Sequence, residues 1–307
     1  MKIAIPYKIH ARFHEWRHNR SCKPVLDSTP ITPADDGLIL FSMIGTRVVL
    51  PYLVAVKSLW NQLRRGRVVI LDDGTLTAAD RQLLDHHLGG PAYLSLAQTA
   101  RPAYPAGGCW ERLAGLLALR RDAYVIQLDS DTVTIGPVPE VAAAIDAGKS
   151  FTLAGDLAGA KAGRMNARHY ARAHYPGAAP NDHIQTAMEM ALADIEGGED
   201  LFYIRGCAGF SGFAPALEGH ARADALVRRY RERIGDARIA QWGSEQFMSN
   251  LLIANEPDSQ VLPYDRYFNY WGEPWGQDMR FVHFIGTHRY AHGAYSRATR
   301  QALAALN

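Results

Sequence analysis

The chain has 307 residues, is 48% hydrophobic and 21% charged, and carries a formal net charge of +2. That balance excludes a disordered polypeptide, and the absence of any long block of like charge argues against a dedicated nucleic-acid surface. No run approaches the roughly 18 apolar residues of a membrane span, so no integral membrane segment is expected; residues 1–10 lack the long apolar stretch of a signal peptide, which makes a cytoplasmic protein the expectation.

Residues 1–36, rich in His, Arg and Pro, read as an irregular N-terminal extension. Regular alternation begins after Gly37. A strand is predicted at 38–43, a helix with Pro51 in its first turn at 51–63, a strand at 67–71 and a threonine-opened helix at 77–88. A short strand at 92–96, a helix at 110–120 and a strand at 124–128 follow. Beyond them the pattern predicts a helix at 138–147 and a strand at 150–154, then a Gly- and Ala-rich stretch through Pro180 that reads as flexible or substrate-covering. Residues 201–213 read as a strand bent at Gly206, Gly209 and Gly212. Helices at 221–234 and 245–254, a strand at 281–285 and a helix at 295–306 close the chain. Strands alternating with helices predict a largely parallel sheet covered on both faces. With no internal repeat or low-complexity linker, the second half elaborates the first. Cys22, Cys109 and Cys207 are widely spaced and form no C-x-x-C pair, so they read as small buried residues.

Three local motifs compete. Val68 to Thr77 resembles the first motif of haloacid-dehalogenase phosphatases, but Leu71 stands at the nucleophile position, and without a carboxylate there no aspartyl-phosphate forms. A strand-to-helix turn relaxed by Gly74 explains the pattern, with Asp72 and Asp73 left as nucleotide-contact candidates. His14-Glu15-Trp16-Arg17-His18 matches H-E-x-x-H, in which two histidines one turn apart hold zinc and the glutamate activates water. Its polar neighbours and lack of an apolar stripe favour an exposed basic helix or arm, leaving a zinc hydrolase on His14, Glu15 and His18 as an alternative.

The third motif is Asp129-Ser-Asp131 after the apolar run Tyr124 to Leu128. If the extended geometry persists through Asp131, both carboxylates face one side at a C-terminal strand end, where open α/β sheets bind ligands. Such oxygens suit Mn²⁺ or Mg²⁺ bridging the protein to a diphosphate. Far along the chain, Phe281-Val-His283-Phe-Ile-Gly286-Thr-His288-Arg289 supplies a third metal ligand in His283, a close-approach glycine in Gly286 and a cation for the diphosphate in Arg289.

This combination resembles the GT-A nucleotide-sugar glycosyltransferases, in particular the glycogenin-like and lipopolysaccharide galactosyltransferase-like enzymes of glycosyltransferase family 8. Their H-x-x-G-x-x-K is matched by His283, Gly286 and Arg289, with arginine for lysine. Their D-Q-x-x-x-N is matched by Glu245, Gln246 and Asn250, with glutamate for aspartate, and their N-x-G only partly, by Cys207-Ala-Gly209. The resemblance implies a Rossmann-like mixed, mostly parallel sheet flanked by helices in one large domain. It divides that domain into a nucleotide-sugar-binding half at 37–156 and an acceptor-side half at 157–307 that closes the metal site. It further implies a nucleoside-diphosphate-sugar donor, UDP-sugar first, and a glycan, lipid or protein acceptor. Asp129, Asp131 and His283 would hold the metal, Arg112 would contact the diphosphate or sugar, and Glu245 and Gln246 would face the sugar's reacting carbon. Trp242, Trp271 and Trp275, with Tyr267 and Tyr270, are candidates to stack on an acceptor. A non-catalytic nucleotide-sugar-binding protein is the other alternative, since Glu245 and Arg289 depart from the family pattern.

Overall fold

A computed structural model describes residues 7–177 and 183–306. The apolar runs form its central sheet. β1 (Leu38–Ile44), β2 (Arg67–Asp72), β3 (Ala92–Ser95) and β4 (Tyr124–Leu128) lie parallel, with β1 between β2 and β4. Next in the chain come β5 (Thr132–Thr134), β6 (Phe151–Ala154), the short antiparallel pair β7 (Met165–Asn166) and β8 (Phe202–Tyr203), and β9 (Gly206–Phe213). β9 inserts antiparallel between β4 and β6, and β10 (Gln260–Val261) pairs parallel with β6. The resulting seven-stranded order is β10-β6-β9-β4-β1-β2-β3. β11 (Tyr267–Tyr270) and β12 (Phe281–Phe284) are parallel neighbours, and β12 pairs antiparallel with β5. The β12–β5 register sets His283 opposite Thr132, one residue past Asp131.

β1, β2 and β4 are buried on both faces, which is why each reads as an apolar run. Leu40, Ile70 and Ile126 pack on one face with the Val49–Leu63 helix; Ile39, Phe41, Val69 and Val125 pack on the other with the Trp110–Leu119 helix. The Val49–Leu63 helix is buried nearly all round because the Tyr7–Cys22 and Ala294–Ala304 helices cover its outer side. Its dense apolar sequence follows from that sandwiching.

Two sequence expectations are corrected. Residues 7–22 form a helix rather than an irregular arm. Of its described residues it buries only His18 and Cys22, too narrow a strip to leave an apolar period. The Gly- and Ala-rich stretch holds two short helices, Leu157–Ala162 and Ala167–His174, whose first turns are capped by the Asp156 and Asn166 side chains. The last residues of that stretch, 178–180, lie outside the described residues.

Candidate active site

β4 stops at Leu128, and Asp129-Ser130-Asp131 turns instead of continuing extended. The convergence of the two carboxylates therefore does not come from strand periodicity, as the sequence suggested. It comes from fastening on three sides. Asp129 N donates to Gly209 O at 2.9 Å, Thr132 Oγ1 donates to Asp129 O at 2.9 Å, and Phe284 N donates to Asp131 O at 2.8 Å. The Tyr295 hydroxyl closes the turn on Ser130 O at 3.1 Å.

One oxygen of each carboxylate is held by an arginine. Arg112 donates to Asp129 Oδ1 and Arg289 to Asp131 Oδ2, each at 2.5 Å. The other two oxygens face His283 Nε2, Asp131 Oδ1 at 3.2 Å and Asp129 Oδ2 at 3.9 Å. Among the described residues, Asp129, Asp131 and His283 are the one acid and imidazole group compact enough to hold a metal, with ligand atoms within 4.8 Å of one another.

The imidazole is aimed by its surroundings. Asn269, the parallel neighbour of His283, donates its amide N–H groups to Ala154 O at 3.1 Å and Gly155 O at 2.8 Å. Its Oδ1 is left to accept from His283 Nδ1 at 2.9 Å, which turns Nε2 toward the carboxylates. Gly209 makes room for the ring: a Cβ there would lie 2.7 Å from Nε2 and closer still to Cε1. Burial opposes ionisation of Asp131, but the His283 ring and the Arg289 guanidinium outweigh it and bring the carboxyl down to about 2. Burial also opposes charge on His283, and the Asp131 carboxylate nevertheless raises it well above the ordinary range. A positive charge is thus favoured where the ring meets the acids, and two oxygens with one nitrogen fit a divalent cation.

These groups line a cavity of about 640 Å³. Arg112, at the start of the Trp110–Leu119 helix, spans it: one nitrogen holds Asp129 and another donates to Glu245 Oε2 at 2.8 Å. Burial disfavours the Arg112 charge, and its two carboxylate partners restore it. Burial raises the Glu245 carboxyl, and Glu245 Oε1 is a buried oxygen without a hydrogen-bond partner. Gln246 lies beside it, accepting from Cys207 Sγ at 3.5 Å and donating to Gln185 Oε1 at 3.4 Å. Asn250, one turn on, is structural, tying its helix to β6 through the Thr152 hydroxyl at 2.6 Å. Gly286, with φ of +47°, and Arg289 complete the wall beside His283.

Other predicted residues lie elsewhere. Asp72 and Asp73 are not on the cavity wall. Asp72 accepts from Gly74 N and Arg81, and Asp73 from Thr75 N, so both serve the turn after β2. The H-E-x-x-H helix forms no metal cluster among the described residues. His18 is buried, stacked on Tyr295 at 3.5 Å between ring centroids, and desolvation together with Arg289 lowers it to about 3. Glu15 is bound to Arg47 at 2.9 Å. Of the aromatic group, Trp242 and Trp271 line the cavity and are 79% and 45% exposed, whereas Tyr267 and Tyr270 are core. Trp275 packs against that core. Cys207 and Cys22 are buried as expected; Cys109 is only partly so, and Cys109 and Cys207 both line the cavity. Sequence reading missed Asn269, and also Asp156 and Arg205, which pair at 3.4 Å on the cavity wall. Asn269 is the lone polar residue in Tyr-Phe-Asn-Tyr, and Asp156 follows β6 as Asp129 follows β4, so both had left a signal.

No family model matches the sequence, and no curated protein matches it in sequence. Solved structures match it in fold. The galactosyltransferase LgtC, in complex with donor and acceptor sugar analogues, gives a TM-score of 0.54 at 13% identity, over 86% of this chain and 95% of that one. An active-site glutamine-to-glutamate mutant of LgtC gives 0.50 at 13% identity, with the same coverage. The apo bifunctional glycosyltransferase WbbM gives 0.52 at 13% identity over 84% of this chain and 47% of that one, so this chain spans about half of WbbM. What such distant sequences share is architecture, and the chain has the GT-A glycosyltransferase fold.

Proposed function

We propose that this chain is a glycosyltransferase that depends on a divalent metal and moves a sugar from a nucleoside diphosphate to an acceptor. The observation that carries the proposal is the meeting of Asp129 Oδ2, Asp131 Oδ1 and His283 Nε2 on one cavity wall. The fold shared with LgtC, a galactosyltransferase that holds donor and acceptor sugar analogues, supports it. A donor set that mixes carboxylate and imidazole suits Mn²⁺ better than Mg²⁺. Bound there, the ion would take up negative charge on the departing diphosphate.

The protein's own groups divide the remaining work. Arg289 and Arg112 add positive charge beside the phosphates, and Gly286 lets the backbone approach them closely. Glu245, held by Arg112, offers its unpartnered Oε1 to a sugar hydroxyl, and Gln246 lies against the reacting carbon. Trp242 and Trp271 give the acceptor a stacking surface. Residues 37–156 carry Asp129, Asp131 and Arg112 on the nucleotide-sugar side, and residues 157–307 carry the acceptor surface and close the site with Glu245, Gln246, His283, Gly286 and Arg289. UDP-sugars are the first donors to test, and a glycan, lipid or protein is the acceptor class.

The test is a thermal-shift screen of nucleoside diphosphates and their sugars with Mn²⁺ or EDTA, followed by assay of sugar release and transfer. A ligand that binds only the native state raises its melting temperature. Stabilisation that needs Mn²⁺, with turnover of the same donor, is expected. Stabilisation untouched by EDTA removes the metal role, and metal-dependent binding without turnover favours a nucleotide-sugar-binding protein.

A further inference from the structure

The H-E-x-x-H helix takes no part in the cavity, yet its outward face is unusual. Successive side chains advance about 100° around a helix, so Arg12, Trp16 and Arg20 form one line with Phe13 and Arg17 beside it. All five are exposed. Phe13 and Trp16 are 55% and 58% exposed and touch, with ring centroids 6.2 Å apart. Single exposed apolar residues are ordinary, but a paired Phe and Trp framed by arginines is not. The helix has one acid, Glu15, which is bound to Arg47. Among the described residues, Arg12, Arg17 and Arg20 make no ion pair. Next to this face, Arg17, Arg297 and Arg300 with His14 and His292 line a cavity of about 210 Å³, large enough for one phosphate group. Arg297 and Arg300 belong to the Ala294–Ala304 helix, which carries no acid.

We propose that this face docks on an anionic lipid bilayer, with Phe13 and Trp16 entering the headgroup boundary and the arginines contacting lipid phosphates. Charge complementarity selects the partner, since an uncompensated arginine cluster attracts an anionic surface. The rings decide for lipid over nucleic acid, because amphipathic rings beside arginines suit the bilayer interface. The inference does not depend on the catalytic proposal, because Arg12, Phe13, Trp16, Arg17 and Arg20 are not on the large cavity's wall.

Flotation of the full chain with vesicles tests it. With phosphatidylcholine containing about a quarter phosphatidylglycerol at low salt, the chain is expected to float, and with pure phosphatidylcholine roughly tenfold less. About 0.5 M NaCl should release most of it. Phe13→Ser with Trp16→Ser should abolish flotation, and Arg12→Ser with Arg17→Ser and Arg20→Ser should weaken it roughly a hundredfold, at about 1 kcal/mol per arginine. These positions are exposed, so unchanged circular dichroism and Mn²⁺-dependent nucleotide binding confirm folded variants. Failure to float on the anionic vesicles, unchanged flotation of the Phe13 and Trp16 double variant, or retention by a single-stranded RNA in place of vesicles overturns the proposal.

Discussion

Two parallel strands of the same sheet, β2 and β4, both run out into paired acids, and only the β4 pair lines the cavity. After β2, three of the four carboxylate oxygens serve the turn and Arg81. Asp72 Oδ1 accepts from Gly74 N at 2.8 Å and Leu76 N at 3.3 Å, and Asp72 Oδ2 accepts from Arg81 at 2.6 Å. Asp73 Oδ1 takes Thr75 N at 3.0 Å and the Thr75 hydroxyl at 2.6 Å. After β4, β9 and β12 take Asp129 N and Asp131 O, and the Thr132 and Tyr295 hydroxyls take Asp129 O and Ser130 O. Each carboxylate then keeps one oxygen for an arginine and one for His283. An acidic pair can converge on a third donor when distant elements fasten the turn that carries it and bring that donor alongside.

The strongest way to break this comparison is to delete one acid from each pair. Asp131→Ala is expected to lower turnover about a thousandfold and to abolish the Mn²⁺-dependent thermal shift with UDP, whereas Asp73→Ala leaves both nearly unchanged. Equal losses in the two variants would show that both strand ends bind the ligand. A subtler test keeps every ligand and moves one. In Gly209→Ala the new methyl collides with the His283 ring, and Mn²⁺ affinity measured by calorimetry should fall roughly a hundredfold while circular dichroism stays native. Undiminished affinity would mean that His283 is not a ligand.

Much of this was legible in the residues because fully buried strands announce themselves. Each strand of the central parallel set and the three long helices from 38 to 128 were found, and Tyr124–Leu128 matched to the residue, while the four-residue Leu96–Thr99 helix was not seen. Asp129, Asp131 and His283 were each readable as polar residues in or after apolar strands, and the family resemblance supplied their order. Their mutual geometry was not readable, since it rests on the β12–β5 register and on Asn269 being fixed by Ala154 and Gly155, contacts between segments more than 100 residues apart. The Tyr7–Cys22 helix was legible only as an exposed helix or arm, because among its described side chains it buries only His18 and Cys22. At the β2 turn the residue types alone did not tell that Asp72 and one oxygen of Asp73 are engaged by the turn and Arg81, away from the cavity wall.

The remaining predictions sharpen the contrast between the two pairs. Asn269→Ala removes the group that aims His283 without touching the metal ligands, and a ten- to hundredfold loss of Mn²⁺ affinity is expected by calorimetry. An unchanged affinity would assign the aiming to Gly209 and to Cys207, whose Sγ lies 3.4 Å from His283 Nδ1.

Asp72→Ala gives the smallest effect on the site and isolates what the β2 carboxylate does. The variant leaves the Gly74 and Leu76 amides without their acceptor and Arg81 without its partner. Arg81 is 41% exposed and regains water, so the loss comes mainly from the turn and should be about 2 kcal/mol in urea unfolding. The Mn²⁺-dependent shift with UDP should keep its full size above the lowered baseline, because Asp72 is not on the cavity wall. A variant of native stability that lost the shift would reverse the assignment: the turn would not need Asp72, the ligand would, and the two strand ends would no longer differ in kind.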